Sequence, residues 1–343
     1  MKALLLTEYK NLSVTEMPEP SIGPEELLVR VRACGICGSD VHGYDGSSGR
    51  RIPPIVMGHE AAGEVAAVGS AVKGFKPGDR VTFDSTVYCA KCYFCRRGEP
   101  NLCDDRQVLG VSCGDYRRHG AFAEFVAVPQ HICYQLPPTL SYEAAAMIEA
   151  VSIGVHAVRL TPVKLGDTAL VVGAGMIGLL TLQALKLAGC SRIYACDLDD
   201  VKLGLAQQLG ATETFNPRNV DVVEAVRERT DGRGVSLAME AVGAAATVKT
   251  AIHSVRKGGS VTLIGNLAQN IEFPLQYVVT RQIQLIGSCA SAGEYPECIE
   301  LLASGAIQVG PMISARTGLD QAADWFARLY AHEPNIFKVI VEP

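Results

Sequence analysis

Ala169-Leu170-Val171-Val172-Gly173-Ala174-Gly175-Met176-Ile177-Gly178 carries the fold of one half of this chain. A short apolar, β-branched run ends in G-x-G-x-x-G, and a segment with helical periodicity, 176–187, begins at once. The glycine pattern alone is weak evidence. Between a strand and a helix it is specific, because each glycine then has a task. The first makes the tight turn, the second lets the backbone approach a pyrophosphate, and the third permits close helix–strand packing. The helix start, from Met176 and Ile177, offers unpaired N–H groups and positive dipole to that pyrophosphate.

Asp197 closes the next strand candidate, 192–196, at the spacing where a carboxylate receives the ribose hydroxyls and repels a 2′-phosphate. The sequence therefore predicts NAD rather than NADP. Leu198-Asp199-Asp200 add no Arg; Lys202 is the nearest cation, placed to hold a ribose oxygen. Val242, just beyond the strand candidate 235–239, is counted with the dinucleotide-binding residues. The competing reading is a glycine turn in an α/β sheet with no ligand.

Outward from the fingerprint the pattern repeats. Strand candidates at 169–172, 192–196, 235–239, 260–264 and 283–286 alternate with helical stretches such as 176–187 and 222–229. Alternation of this kind predicts an α/β, doubly wound parallel sheet of the Rossmann type, covered on both faces. The strand 283–286 is an edge candidate that could pair across a two-fold axis. Before about Ser152 the character differs: short strands at 27–33, 63–69 and 80–83, with a turn at Lys76-Pro77-Gly78-Asp79, predict a small barrel-like β domain. The tail has a helical pattern at 295–303 and a late strand at 337–341.

Four cysteines, Cys89, Cys92, Cys95 and Cys103, stand in the spacing C-x₂-C-x₂-C-x₇-C. Four thiolates with no open position predict a closed, structural Zn²⁺ site. Two disulfides would need an oxidising compartment. The N-terminus meets a charge too soon for a signal peptide, and no apolar run approaches the length of a membrane span. A cytoplasmic chain with reduced thiols is expected, and metal with it. A second cluster mixes Cys37 with Gly58-His59-Glu60, and such a mixed set is how zinc keeps a position for chemistry. Taken singly, Cys37 could be a small buried hydrophobe and His59 a core histidine. With 343 residues, 48% hydrophobic, two domains are expected. The net charge of −5 argues against a nucleic-acid binder, including a zinc ribbon suggested by the four cysteines.

Residues 58–72, GHEAAGEVAAVGSAV, match the signature G-H-E-x₂-G-x₅-G-x₂-V, and Cys34-Gly35-Ile36-Cys37-Gly38-Ser39-Asp40-Val41-His42 resembles C-G-I-C-G-S-D-x-H. On these motifs the chain resembles the zinc-dependent medium-chain dehydrogenase/reductase family over essentially its whole length. The run 148–157, IEAVSIGVHA, is similar to the polyol, or sorbitol dehydrogenase-like, branch. The resemblance implies a GroES-like catalytic domain at 1–153 and 289–343 and a Rossmann NAD-binding domain at 154–288. It implies two zinc ions per chain. Cys37, His59 and Glu60 would ligate the catalytic one, with Glu149, where other family members carry a cysteine, as fourth ligand or holder of a bound water. Cys34 would be structural. Ser39 and His42 match the family's proton-relay positions, histidine having the pKa to exchange protons near neutrality; Ser39 could equally cap a helix starting at Asp40.

The implied activity is an oxidoreductase moving hydride from a secondary hydroxyl of a polyol or sugar alcohol to NAD, in a homodimer or homotetramer. Alternatives within the family are a sugar-phosphate alcohol of the galactitol 1-phosphate type, L-threonine and glucose; outside it, a non-catalytic dinucleotide-binding protein. Sorbitol enzymes carry an aromatic pair after the relay histidine, and an Arg with an aromatic after the last sheet strand. Here Gly43-Tyr44 and the small residues 287–293 stand instead. Arg117, Arg118 and His119, in an extended 110–124 segment, are expected near the substrate mouth, as a solvated loop or as a site for phosphate or an extended sugar.

Overall fold

The computed structural model describes residues 1–343. The chain divides into two compact units, 1–149 with 295–305 and 309–343, and 150–294 with 306–308. The family resemblance implies changes at 153/154 and 288/289. The first division falls instead inside the continuous helix Ile148–Leu160, and the second at the start of the helix Tyr295–Ala303. An unbroken helix gives no compositional break for a boundary to show in.

The second unit is a six-stranded parallel sheet. Its order is Glu213–Phe215, Arg192–Cys196, Thr168–Val172, Val235–Glu240, Val255–Leu263, Gln284–Gly287. The chain starts in the middle, works out to one edge, then returns past its start. This is the doubly wound order, with its switch between Thr168–Val172 and Val235–Glu240. The last four residues of Thr168–Val172 are buried, as an apolar run between two helical layers requires. The fifth strand begins five residues before its expected start, through Arg256-Lys257-Gly258-Gly259, a segment without strand composition. An irregularity in its pairing with Val235–Glu240 absorbs these residues.

The first unit is built on a seven-stranded sheet centred on Glu26–Gly35. That strand pairs antiparallel with Glu60–Val68, with Phe125–Pro129 and, at its C-terminal end, with Lys338–Glu342. The late strand pairs Ile340 with Gly35 and Val341 with Cys34. Residues some three hundred positions apart thus meet beside the loop leading to Cys37. The helix Leu319–Tyr330 closes the core below, its Phe326 ring 5.6 Å from that of Phe122 in an edge contact. Both rings are fully buried. No helix is long and apolar enough to cross a membrane.

Candidate functional site

Cys37, His59 and Glu60 converge, their ligand atoms all within 4.8 Å of one another. Cys37 is the N-cap of the helix Gly38–Tyr44, and its N–H donates to Asp40 Oδ2 at 3.2 Å. Ser39 is therefore not the cap the sequence allowed. It sits inside the first turn with its Oγ 3.4 Å from His59 Nε2. On the other side of the ring, Asp40 Oδ1 lies 3.3 Å from Nδ1 and takes Arg51 Nη2 at 3.2 Å. Asp40 and Arg51 are both buried. Burial works against the Asp40 carboxylate, but His59 and Arg51 outweigh it and hold its pKa well below the usual range. Burial likewise disfavours a charged His59, yet Asp40 and Cys37 raise its pKa well above the ordinary value.

Glu60 Oε2 accepts from buried Lys338 Nζ at 2.5 Å, and Nζ also donates to Ile36 O at 3.1 Å. Glu149 stands outside the three-residue set. Its Oε1 accepts from Ser85 Oγ at 3.5 Å. Burial first, then the neighbouring Glu60 and Asp84, push its pKa up to about 7 against the opposing effect of His59. A thiol, an imidazole and a carboxylate converge, with buried Asp40 and Arg51 behind the imidazole and buried Lys338 on the carboxylate. The donor set and its charge fit a zinc ion.

The four cysteines also converge, all sulfurs within 4.8 Å. Cys92 and Cys95 Sγ are 3.4 Å apart, and none is in a disulfide. Backbone N–H groups of Cys89, Cys92 and Cys95 donate to the sulfurs of Cys103, Cys89 and Cys92 at 3.3, 3.3 and 3.5 Å. Such bonds favour thiolates, and the cluster fits a closed tetrahedral zinc. Around it the lobe has little core, with Tyr93 and Leu102 exposed.

In the second unit Gly173 has φ +94° at the end of Thr168–Val172, and a Cβ there would strike Val242 Cγ2. A Cβ on Gly178 would run into the Gly173 carbonyl oxygen. Gly175 is the N-cap of Met176–Leu187 with no side-chain cap, which leaves that helix end to a ligand. Asp197 Oδ2 accepts from Ala174 N–H at 2.8 Å and Oδ1 from Asp199 N–H at 3.0 Å. The acidic side chain is thus anchored to the fingerprint loop. Lys202 lies in the following helix, half-buried, with no bond to Asp197. The arrangement fits a dinucleotide.

His42 is exposed on the short helix, one turn beyond Ser39. Arg117, Arg118 and His119 share no cavity with the mixed cluster. Arg117 and Arg118 pair with Val111–Ser112 in a two-stranded hairpin, and with His119 they line a cavity that includes none of Ser39, His42, His59, Glu60 or Glu149. His119 Nδ1 accepts from Val56 N–H at 3.2 Å, which ties it to the strand Ile55–Val56, itself paired with Lys2–Glu8. The sequence reading missed Arg51 and Lys338 as supports, and Glu240, whose buried carboxylate accepts from Val242 and Gly243 N–H at 3.0 and 2.9 Å. No spacing signals them; an acidic residue at the end of a buried strand was the one visible sign for Glu240. Among the other thiols, Cys34, Cys133, Cys190, Cys196 and Cys298 are buried, Cys113 is half-buried and Cys289 is exposed.

Residues 23–138 match the alcohol dehydrogenase GroES-like domain, and residues 177–304 the zinc-binding dehydrogenase domain. A sorbitol dehydrogenase of Bacillus subtilis (strain 168) is 37% identical over 100% of this chain and 97% of its own length. An L-idonate 5-dehydrogenase of Vitis vinifera is 35% identical over 93% of this chain and 88% of its own. A zinc-binding dehydrogenase of Sinorhizobium meliloti 1021, solved bound to NADP, superposes with a TM-score of 0.92 at 35% identity, covering 100% of this chain and 99% of that one. The chain belongs to the zinc-dependent medium-chain alcohol dehydrogenase family, with a GroES-like domain and a Rossmann domain. Its cofactors are zinc and a nicotinamide dinucleotide.

Proposed function

We propose that the chain oxidises a secondary hydroxyl of a polyol or sugar alcohol, passing the hydride to NAD. The observation that carries this is the convergence of Cys37, His59 and Glu60, one thiol, one imidazole and one carboxylate, in a chain with an acidic ribose position at Asp197. Polyol chemistry is supported by the sorbitol and L-idonate dehydrogenases it is similar to, and by Glu149 in the 148–157 run. Cys37, His59 and Glu60 would hold the catalytic zinc, with Glu149 beside it; Cys89, Cys92, Cys95 and Cys103 would hold the structural one. When bound, the metal lowers the pKa of the substrate hydroxyl and the dinucleotide accepts the hydride.

The chain's own residues supply alignment and proton handling. Asp40 orients the His59 ring from the Nδ1 side, which leaves Nε2 as ligand atom. Lys338 holds Glu60 Oε2, which would leave Oε1 for the metal. Ser39 would accept the substrate proton as its own hydroxyl proton passes on, and exposed His42 would release a proton to solvent. Gly173, Gly175, Met176, Ile177 and Gly178 receive the pyrophosphate, with Val242 packed over the turn; Lys202 supports the ribose.

The cytoplasm is the proposed location, supported by twelve free cysteines. Assembly is proposed as a homodimer through the edge strand Gln284–Gly287, or a homotetramer built from it. Leu275, Val279 and Leu285 are exposed on that edge strand and the helix preceding it. The test is a panel of polyols, sugar phosphates, L-threonine and aldoses, each with NAD and NADP, read at the reduced-nicotinamide absorbance. Polyols with NAD are expected to turn over fastest. Asp197→Ala is expected to narrow the preference for NAD over NADP. A wild type that uses both cofactors equally would remove the reading of Asp197.

A further inference from the structure

A cavity of about 440 Å³ lies between the Arg117–Arg118 hairpin strand, the segment around Met17 to Ser21 and the strand Phe125–Pro129. It is within the size range of small-molecule sites. Its wall is apolar, from Val56, Leu109, Ala123, Val126 and Met17. Its polar rim is made of donors held in place by bonds that leave other hydrogens unused. Arg118 Nε donates to Gln107 Oε1 at 2.7 Å, which fixes the guanidinium and leaves both Nη groups. Arg117 Nε is tied to Ser112 Oγ at 3.3 Å. Neither Arg meets a carboxylate within ion-pair distance.

His119 accepts at Nδ1 from Val56 N–H, so the neutral ring carries its proton on Nε2 and is a donor there. Tyr116 Oη accepts from Val108 N–H at 3.1 Å, and its own proton is left to donate. The one carboxylate in the lining, Glu26, already takes Gly23 N–H at 2.9 Å. Four fixed donors, two of them cationic and unneutralised, over an apolar wall call for an anion with a compact organic body.

We propose that this cavity, separate from the mixed Cys37–His59–Glu60 cluster, binds a small organic anion. Its phosphate or carboxylate group is held by Arg117, Arg118, His119 and Tyr116, and its body lies against Val56 and Leu109. Planar guanidinium forks suit either head group, and Lys would not replace them.

The experiment is calorimetric titration of the purified full chain with a hexose phosphate, the matching sugar acid, the neutral hexose and inorganic phosphate. A response to the phosphate ester identifies that head group, and a response to the acid identifies a carboxylate. One organic anion per chain is expected to bind, the neutral hexose not. The Arg117→Gln/Arg118→Gln variant is expected to bind it about tenfold more weakly or worse, at unchanged melting temperature and unchanged kcat and KM without the anion. A His59→Ala variant is expected to bind it as wild type does. The proposal is overturned if neither organic anion binds, if the double variant binds as wild type, or if His59→Ala abolishes binding. Inorganic phosphate binding as tightly as the ester would overturn the organic body. Dissociation of the assembly in the double variant, seen by sedimentation velocity, would mean that a second copy covers the cavity, and would also overturn it.

Discussion

Two cysteine-bearing clusters in one unit are built by opposite means. Cys89, Cys92, Cys95 and Cys103 come from one short loop, and what supports their sulfurs is that loop's own backbone N–H groups. Cys37, His59 and Glu60 come from a helix cap and a strand start. Their supports are side chains: Asp40 from the helix that Cys37 caps, Arg51 from the loop after it and, from the far end of the chain, Lys338. The first arrangement is local, saturated by its own ligands and poor in surrounding core. The second is non-local, buried in the sheet and held by a charged outer layer. A site that must present a reactive position needs its ligands oriented from outside; a site that only cross-links does not.

The sharpest test of this contrast removes one proposed zinc ligand from each cluster. His59→Ala should abolish turnover, by about three powers of ten or more, as loss of a group from a catalytic unit does. Dinucleotide binding, measured by cofactor fluorescence, should persist, because the fingerprint loop belongs to the other unit. Activity surviving in that variant would mean that the mixed cluster is not where the chemistry happens.

Cys95→Ser should act in the other direction. The lobe has little apolar burial of its own, and a structural zinc contributes folding free energy outright. Lower thermal stability and easier proteolysis within 89–103 are expected, with substrate preference unchanged. Metal analysis should find two zinc ions per wild-type chain and one in each of these two variants. A wild-type value of one would collapse the comparison, since one cluster would then be metal-free.

Lys338→Met examines the outer layer. The Glu60 carboxylate is almost wholly buried, and its Oε2 is held by Lys338. Breaking a buried pair by removing one partner costs about 3–5 kcal/mol. Denaturant unfolding of the zinc-loaded protein should show a loss of that order. If the loss is near zero, the metal and not the Lys338 ion pair is what secures Glu60.

The same local and non-local division governed what the sequence could disclose. The helix 176–187, the strands 80–83 and 192–196 and the helix 295–303 stand at the residues their patterns indicated, because short-range periodicity specifies them. The cysteine spacing reads directly, since its geometry is contained in one loop. Arg51 and Lys338 carry no such signal. Their roles arise from the pairing of Lys338–Glu342 with Glu26–Gly35 and from a loop folding back onto Asp40, which no window of sequence contains. The Arg117–His119 segment is a related case. Its charge leaves a solvated loop and a phosphate or sugar site both open, and the hydrogen bond from Val56 N–H that ties His119 down has no signal in the sequence.

Asp40→Asn is the mildest probe and the most specific to the mixed cluster. Asparagine keeps the size of the side chain and an oxygen for His59 Nδ1, but surrenders the charge shared with Arg51. His59 then becomes a poorer ligand, and Arg51 is left buried beside a neutral group. Loss of such an outer partner weakens metal binding by about 10–100-fold. Competition with a chelator should strip zinc from the mixed cluster at correspondingly lower chelator concentration, while the four-cysteine zinc leaves as in wild type. Equal weakening at both clusters would show that the substitution loosens the whole unit rather than the orientation of His59. No change at either would show that Cys37 and Glu60 hold the metal without a fixed imidazole.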